Sequence, residues 1–266
     1  MKFCFQNEIP FNPFVSNRLP GIAPLEPKSW LLVDDAFDCQ MATRDHLIST
    51  QPDAVLASCE GSQEAQAELL ELVLGVLSDQ PNYHIGVDYV RRPDGVEVAL
   101  NRAAPMATLG RLIQEDLCVL QPHGSQHVLT AAVLCFPASW TLAEKIGRPL
   151  SDIHIPVAAY TEELAKRVQR LFDAIHPDRP LWRSNCLWYD SPELFQPRSV
   201  SDPRPATAAS LTSELGAEQG AYLRSERQCL LRLPKTQAAV FSIHTFVLKA
   251  AAARQLKLSS GQSVQP

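Results

Sequence analysis

The sequence predicts an α+β domain in which a central antiparallel sheet carries flanking helices. Two patterns point to this class. About six segments have the composition and spacing of strands, whereas three or four have the spacing of helices. Most of the strand-like segments follow one another directly along the chain, and short connections favour antiparallel pairing. The 266 residues, 45% hydrophobic and 20% charged, are sufficient for a sizeable core.

Proline-rich stretches suggest how the chain is organised. Five prolines in the first 30 residues predict an extended arm over residues 1–40, followed by a main domain over 41–250 and a tail over 251–266. A second stretch rich in Pro, Ser and Ala, residues 198–212, predicts a loop. The polar residues from Lys257 onward are expected to fray.

Four segments have helical character. Residues 43–50 predict a short helix, and Ser62 begins a longer one whose apolar residues recur at helical spacing. Residues 160–175 form an amphipathic segment with two glutamates near its start, where the helix dipole favours negative charge. Residues 141–145 have a capping box and are followed by Gly147 and Pro149, which predicts a very short helix.

The strand-like segments alternate or are continuously apolar. Residues 82–100 predict a hairpin around Pro93-Asp94-Gly95. The remaining predicted strands are Leu112–Leu120, His127–Phe136, Leu181–Tyr189, Tyr222–Leu233 and Ala238–Leu248. Because residues 128–136 are almost wholly apolar, we expect them to form a central strand.

Composition excludes several kinds of protein. The 24 Lys and Arg against 29 Asp and Glu give a formal net charge of −5, and we find no basic patch, so no nucleic-acid partner is expected. No window approaches 18 uninterrupted apolar residues and the N-terminus does not resemble a signal peptide, so we expect a soluble, cytoplasmic protein without membrane partners. The seven cysteines include no C-x-x-C pair, which predicts mostly buried thiols rather than a metal site or disulfide framework.

The common catalytic and nucleotide-binding motifs are absent. The sequence contains no G-x-G-x-x-G, P-loop, H-E-x-x-H or G-x-S-x-G pattern. Motifs of this kind therefore assign no activity.

Several longer stretches resemble a known family. Residues 111–118 are RLIQEDLC and residues 183–195 are RSNCLWYDSPELF. Residues 135–157 are CFPASWTLAEKIGRPLSDIHIPV, and residues 222–246 are YLRSERQCLLRLPKTQAAVFSIHTF. Over about residues 30 to 250 these stretches resemble, in order, the heme-dependent oxidative N-demethylase-like proteins. The sequence departs from that pattern at Cys186, Cys229, His244 and Phe246, where the family usually carries Trp, Thr, Arg and Tyr.

The resemblance implies a b-type heme in a PAS-like fold. The implied activity is a monooxygenase reaction that removes a methyl group from a small secondary amine such as dimethylamine and gives formaldehyde. It also implies electrons from separate reductase subunits. This agrees with the sequence, which has no flavin or nicotinamide motif and no set of four cysteines with which to reduce its own heme.

The first candidate for the heme-iron ligand is His154. It lies in an apolar frame between Pro149 and Pro156, which would hold an imidazole in one orientation and keep water away from the iron. His244 is the second candidate, although a histidine within a strand is commonly a structural residue satisfied by hydrogen bonds.

Other polar residues suit the remaining roles. The candidates for binding the heme propionates are Arg148, Arg183 and Arg227. Glu226 is the candidate catalytic residue, because its carboxylate could hold a cationic amine and accept its proton; Asp190 and Glu115 are weaker candidates. For the charged residues of the predicted strand Tyr222–Leu233, the alternative is a solvated sheet face with cross-strand pairs.

Two other functions remain open at this point. A non-catalytic PAS-like sensor or binding module could use the same heme or another small ligand. A scaffold subunit without heme is the third alternative.

Overall fold

The computed structural model describes residues 3–14, 21–153, 162–199, 201–202 and 220–261. The helices are α1 (Phe37–Thr50), α2 (Pro52–Val55), α3 (Gln63–Ser78), α4 (Pro105–Leu112), α5 (Leu150–Ile153), α6 (Glu162–Ala174) and α7 (Ala250–Gly261), with a 3-10 helix at Pro27–Ser29. The strands are β1 (Ala23–Pro24), β2 (Leu56–Ser58), β3 (His84–Ile85), β4 (Tyr89–Arg91), β5 (Glu97–Ala99), β6 (Asp116–His123), β7 (Gln126–Val133), β8 (Leu181–Tyr189), β9 (Tyr222–Arg232) and β10 (Ala239–Lys249).

A seven-stranded antiparallel sheet organises the described residues, in the order β1-β8-β9-β10-β6-β7-β2. A separate small sheet contains β3, β4 and β5, which confirms the predicted hairpin and adds a third strand to it. The large sheet and its helices confirm the predicted α+β class. Among the described residues, no helix has the length and apolar character needed to cross a membrane.

The two faces of the large sheet have different neighbours, because successive side chains of a strand point to opposite sides. One face packs against α1, α3 and α4 and forms the main core, to which Val119 and Leu231 contribute. The other face, with Leu120 and Leu230, packs against α5 and α6 and forms a smaller cluster around Phe172. The second face contains the candidate site described below.

The predicted helix over residues 141–145 is wrong, because residue 142 is in a bend and residues 143–147 form turns. The backbone N–H groups of Lys145 and Ile146 both donate to the Leu142 carbonyl, so only a single turn of helical hydrogen bonds forms. Gly147, with φ of 75°, ends this turn as its position predicts. Forming one turn orders several backbone dihedrals and gains very few hydrogen bonds in return. A helix this short is therefore unfavourable.

Most of the cysteines are thiols, as predicted, but Cys4 and Cys39 form a disulfide that the sequence did not predict. This bond links the N-terminal segment to α1, across 35 residues of sequence. The other five cysteines remain thiols, three of them buried. Two half-cystines 35 residues apart have no local spacing signal, so the sequence alone did not reveal their pairing.

Three further elements differ from the sequence prediction. Helix α4 occupies residues 105–112, a segment for which no helix was predicted. Strand β7 lies one place from the edge of the sheet, next to β2, and the middle strand is β10. Residues 250–261 form α7 rather than a frayed end.

Candidate functional site

A cavity of about 470 Å³ lies against the second face of the large sheet. This volume is within the range of pockets that bind small molecules and cofactors. Most of its wall is apolar and comes from α5, α6 and strands β6 to β10. The apolar lining residues include Leu120, Leu129, Leu150, Ile153, Leu164, Val168, Leu171, Phe172, Leu181, Leu230, Phe241 and Ile243.

Sequence periodicity accounts for this wall. Every second residue of a strand lies on the same face, and the cavity is lined by residues 226, 228 and 230 of β9 and by residues 241 and 243 of β10. On α6, the lining residues Leu164, Val168 and Leu171 recur every three or four positions. The amphipathic segment predicted at 160–175 therefore uses its apolar face to close the cavity.

Glu226 is the only carboxylate among the described residues that line the cavity. Its side chain is mostly buried, with 12% exposed. Asn185 Nδ2 and Gln228 Nε2 donate hydrogen bonds of 3.0 and 2.9 Å to Glu226 Oε2. Asn185 also accepts the backbone N–H of Glu226 at 3.1 Å, because the two residues are cross-strand partners in the β8–β9 register. These hydrogen bonds fix the carboxylate in one orientation.

Arg183 contributes a positive charge to the same wall. Its Nε atom is buried and has no hydrogen-bond partner among the described residues. Burial lowers the pKa of Arg183, and the charge of Glu226 acts in the opposite direction. A buried donor without a partner is costly, so this position suits a ligand that carries an acceptor.

Lys145 is a lining residue that the sequence analysis missed. Its Nζ atom donates a 2.7 Å hydrogen bond to the Ile153 carbonyl and lies 4.8 Å from the centre of the Trp140 ring. Burial lowers the pKa of this amine. The turns at 143–147 bring Lys145 to the cavity, whereas a helix-capping role gave no reason to expect it there.

The structure does not bring all the predicted site residues together. Arg183 and Glu226 share the cavity wall. Arg148 is exposed and does not line the cavity. Arg227 lies on the opposite sheet face, where its guanidinium donates to the Trp30 and Ser29 carbonyls at 2.9 and 2.5 Å. His154 lies outside the described residues, and the residue before it, Ile153, lines the cavity.

His244 is buried on the opposite face from Glu226, between two carboxylates. Its Nδ1 is 3.0 Å from Glu115 Oε1, and its Nε2 is 3.0 Å from Asp34 Oδ2. Burial alone would lower the pKa of His244, but the hydrogen bonds and charges of Asp34 and Glu115 outweigh burial and raise it to about 9. His244 is therefore an imidazolium at neutral pH, and both of its ring nitrogens are hydrogen-bonded. Glu115 binds His244 and does not line the cavity. The other weak candidate for the amine, Asp190, is exposed and does not line the cavity.

Comparison with protein families identifies the family of this chain. The family model described as "Haem-dependent oxidative N-demethylase, alpha subunit-like" matches residues 21–261. The chain belongs to this family. Membership confirms the resemblance carried by the four sequence stretches. The family description implies a heme cofactor, an oxidoreductase activity and further subunits beside this alpha-type chain.

The lining residues fit the heme that the family description implies. A heme needs an apolar enclosure for its ring and cationic or amide donors for its two carboxylates. The cavity offers an apolar wall, the unpartnered Nε of Arg183 and the amine of Lys145. No histidine is present among the described residues that line it.

Proposed function

We propose that this chain is the heme-binding subunit of an oxidative N-demethylase that acts on a small secondary amine. The observation that carries the proposal is Glu226, a single oriented carboxylate in a largely apolar cavity that also contains two cations suited to heme carboxylates. In the overall reaction, O₂, two electrons and two protons convert an N-methyl group into formaldehyde, the demethylated amine and water.

A bound b-type heme would supply O₂ activation and the associated redox chemistry. Arg183 and Lys145 would hold its two carboxylates, because both are cationic residues that line the cavity. His154 would provide the imidazole ligand to iron. Its place in the chain supports this role, since it directly follows the cavity residue Ile153.

Glu226 would bind the amine. A secondary amine is a cation at neutral pH, and a carboxylate in an apolar cavity attracts it more strongly than one in water. Since Glu226 Oε2 already accepts two amide hydrogen bonds, Oε1 remains for the ammonium group and for its proton. The apolar residues around it would exclude water from the reacting methyl group.

A partner would deliver the electrons. The family description implies further subunits, and the proposal identifies one of them as a reductase. The proposal includes a PAS-like arrangement, with which the antiparallel sheet and the cavity on one of its faces are compatible.

The test is heme titration followed by assay of formaldehyde. The purified chain reconstituted with heme is expected to show a Soret band of histidine-ligated heme and to release formaldehyde from dimethylamine with a surrogate reductant. His154→Ala should lower heme occupancy or shift the Soret band, and His176→Ala, at an exposed turn, should change neither.

Each result decides between alternatives. Absence of a Soret band refutes both heme functions, whereas a Soret band without formaldehyde favours the non-catalytic sensor. An unaltered spectrum and occupancy in His154→Ala contradicts the ligand assignment.

A further inference from the structure

A second, smaller cavity of about 120 Å³ adjoins the first, and the two share the wall residues Trp140, Asn185 and Glu226. The other residues that line the small cavity are Ala138, Leu187, Tyr189 and Arg224. A small molecule in it would therefore lie beside the contents of the large cavity. Its wall is the more polar of the two.

Arg224 is a buried cation whose geometry is fixed. Its two terminal nitrogens donate to the Leu194 and Phe136 carbonyls at 3.0 and 2.6 Å, and its side chain is 3% exposed. Its Nε atom is buried and makes no hydrogen bond among the described residues. Glu226 Oε1 lies 3.8 Å from this Nε, which is beyond hydrogen-bond distance.

The charges around Glu226 are not balanced. One carboxylate faces two arginines, since Arg183 lines the large cavity and Arg224 lines the small one. Each arginine has a buried Nε that makes no hydrogen bond to the residues the structure describes. Simple amines would add a further positive charge, whereas a ligand with both an ammonium and a carboxylate group would satisfy Glu226 and an arginine together.

We propose that the small cavity binds the carboxylate of an N-methylated amino acid at Arg224 Nε, while Glu226 Oε1 binds its ammonium group. In an α-amino acid a single carbon separates these two groups, so one small molecule reaches both atoms. This inference rests on the proposed function and specifies its substrate class as N-methylated amino acids, with a secondary or tertiary amine, in place of simple amines. Arg224 acts here as a specificity-determining residue.

The first test compares three ligands by isothermal titration calorimetry of the heme-reconstituted protein. N,N-dimethylglycine carries both charges, dimethylamine carries only the cation, and 3-methylbutanoate has a similar shape with only the carboxylate. We expect N,N-dimethylglycine to bind at least tenfold more tightly than either of the others. Equal affinities for N,N-dimethylglycine and dimethylamine would overturn the proposal.

Two variants test which side chain binds the carboxylate of the ligand and which binds its ammonium group. Arg224→Lys keeps a cation but lacks Nε, so it should weaken the binding of N,N-dimethylglycine tenfold or more and leave dimethylamine unchanged. Glu226→Gln should also weaken N,N-dimethylglycine and spare 3-methylbutanoate, and it provides the test if Arg224→Lys does not fold. Glu193→Gln removes the same charge at an exposed position outside both cavities and should have no effect. Unchanged binding of N,N-dimethylglycine in Glu226→Gln would contradict the site.

The result separates this inference from the proposed function. Tight binding of N,N-dimethylglycine without formaldehyde release supports the subsite and refutes demethylation. Formaldehyde from dimethylamine, with N,N-dimethylglycine neither bound nor demethylated, supports demethylation and refutes the subsite.

Discussion

At the residue scale, His244 shows how a buried network can keep a charge in place. The usual residue of the resembled family at this position is arginine, and the imidazolium of His244 provides a cation there between Asp34 and Glu115. These two carboxylates are 210 and 129 residues away in sequence, so strand periodicity reveals only that His244 shares a face with Ser242 and Phe246. The carboxylate partners, and hence the raised pKa, emerge only from the tertiary structure.

The pKa of His244 predicts a pH dependence of stability. Because the pKa in the folded protein is about 9, above the ordinary value of 6.5, protonation stabilises the fold fully below pH 6.5. This contribution, on the order of 3 kcal/mol, should be lost as the pH rises through 9. His244→Arg keeps a cation that does not titrate in this range, so its free energy of unfolding should decline less between pH 6.5 and 9.

Urea unfolding at several pH values would measure this difference. The quantity to compare is the slope of the unfolding free energy with pH. The absolute free energy is less informative, because the larger arginine could change stability equally at every pH. His176→Gln is the control, because His176 is exposed and its variant should retain the wild-type slope. Equal slopes for wild type and His244→Arg would show that His244 is not the titrating group.

At the element scale, the long strands are the part of the fold best predicted from sequence. The bounds of β8 are as predicted, β9 ends one residue earlier, and β10 is shifted by one residue at both ends. Strands β9 and β10 are buried for most of their length because both sheet faces are covered, so each is a long run that is easily recognised in the sequence. Helix α4 was not predicted because its eight residues are too few for a clear period and include Gly110.

Gly110 explains how closely α4 approaches its neighbours. A Cβ atom at this position would lie 2.5 Å from Val133 Cγ2 of β7 and 2.8 Å from Ile48 Cδ1 of α1. Gly110→Ala should therefore lower the free energy of unfolding by about 1–3 kcal/mol through overpacking. Gly75→Ala is the matched control within α3, where a Cβ meets nothing within 4 Å, and should raise stability by up to about 1 kcal/mol.

Denaturant unfolding of the two alanine variants would measure these effects. The opposite signs matter more than the sizes, since both changes favour a helix by intrinsic propensity. If Gly110→Ala were as stable as Gly75→Ala, the close contact between α4, β7 and α1 would be disproved.

At the scale of the whole molecule, the large sheet separates the main core from the large cavity. Because successive side chains of a strand point to opposite sides, the neighbours Glu226 and Arg227 of β9 lie on different faces. The sequence did not reveal which face would be filled by helices and which would retain a cavity. That difference depends on how α5 and α6 lie over the sheet, which sequence periodicity does not specify.

Leu230 and Leu231 are adjacent residues of β9 that test this separation. Leu230 lines the large cavity, whereas Leu231 belongs to the main core on the other face, and both are buried. Leu230→Trp should fill part of the cavity and weaken heme binding at least tenfold, with little effect on the thermal stability of the heme-free protein. Leu231→Trp should instead overpack the core and lower the free energy of unfolding by about 1–3 kcal/mol. Heme titration and thermal unfolding of both variants would measure the two effects, and equal losses of stability would show that the face containing Leu230 is as tightly filled as the core.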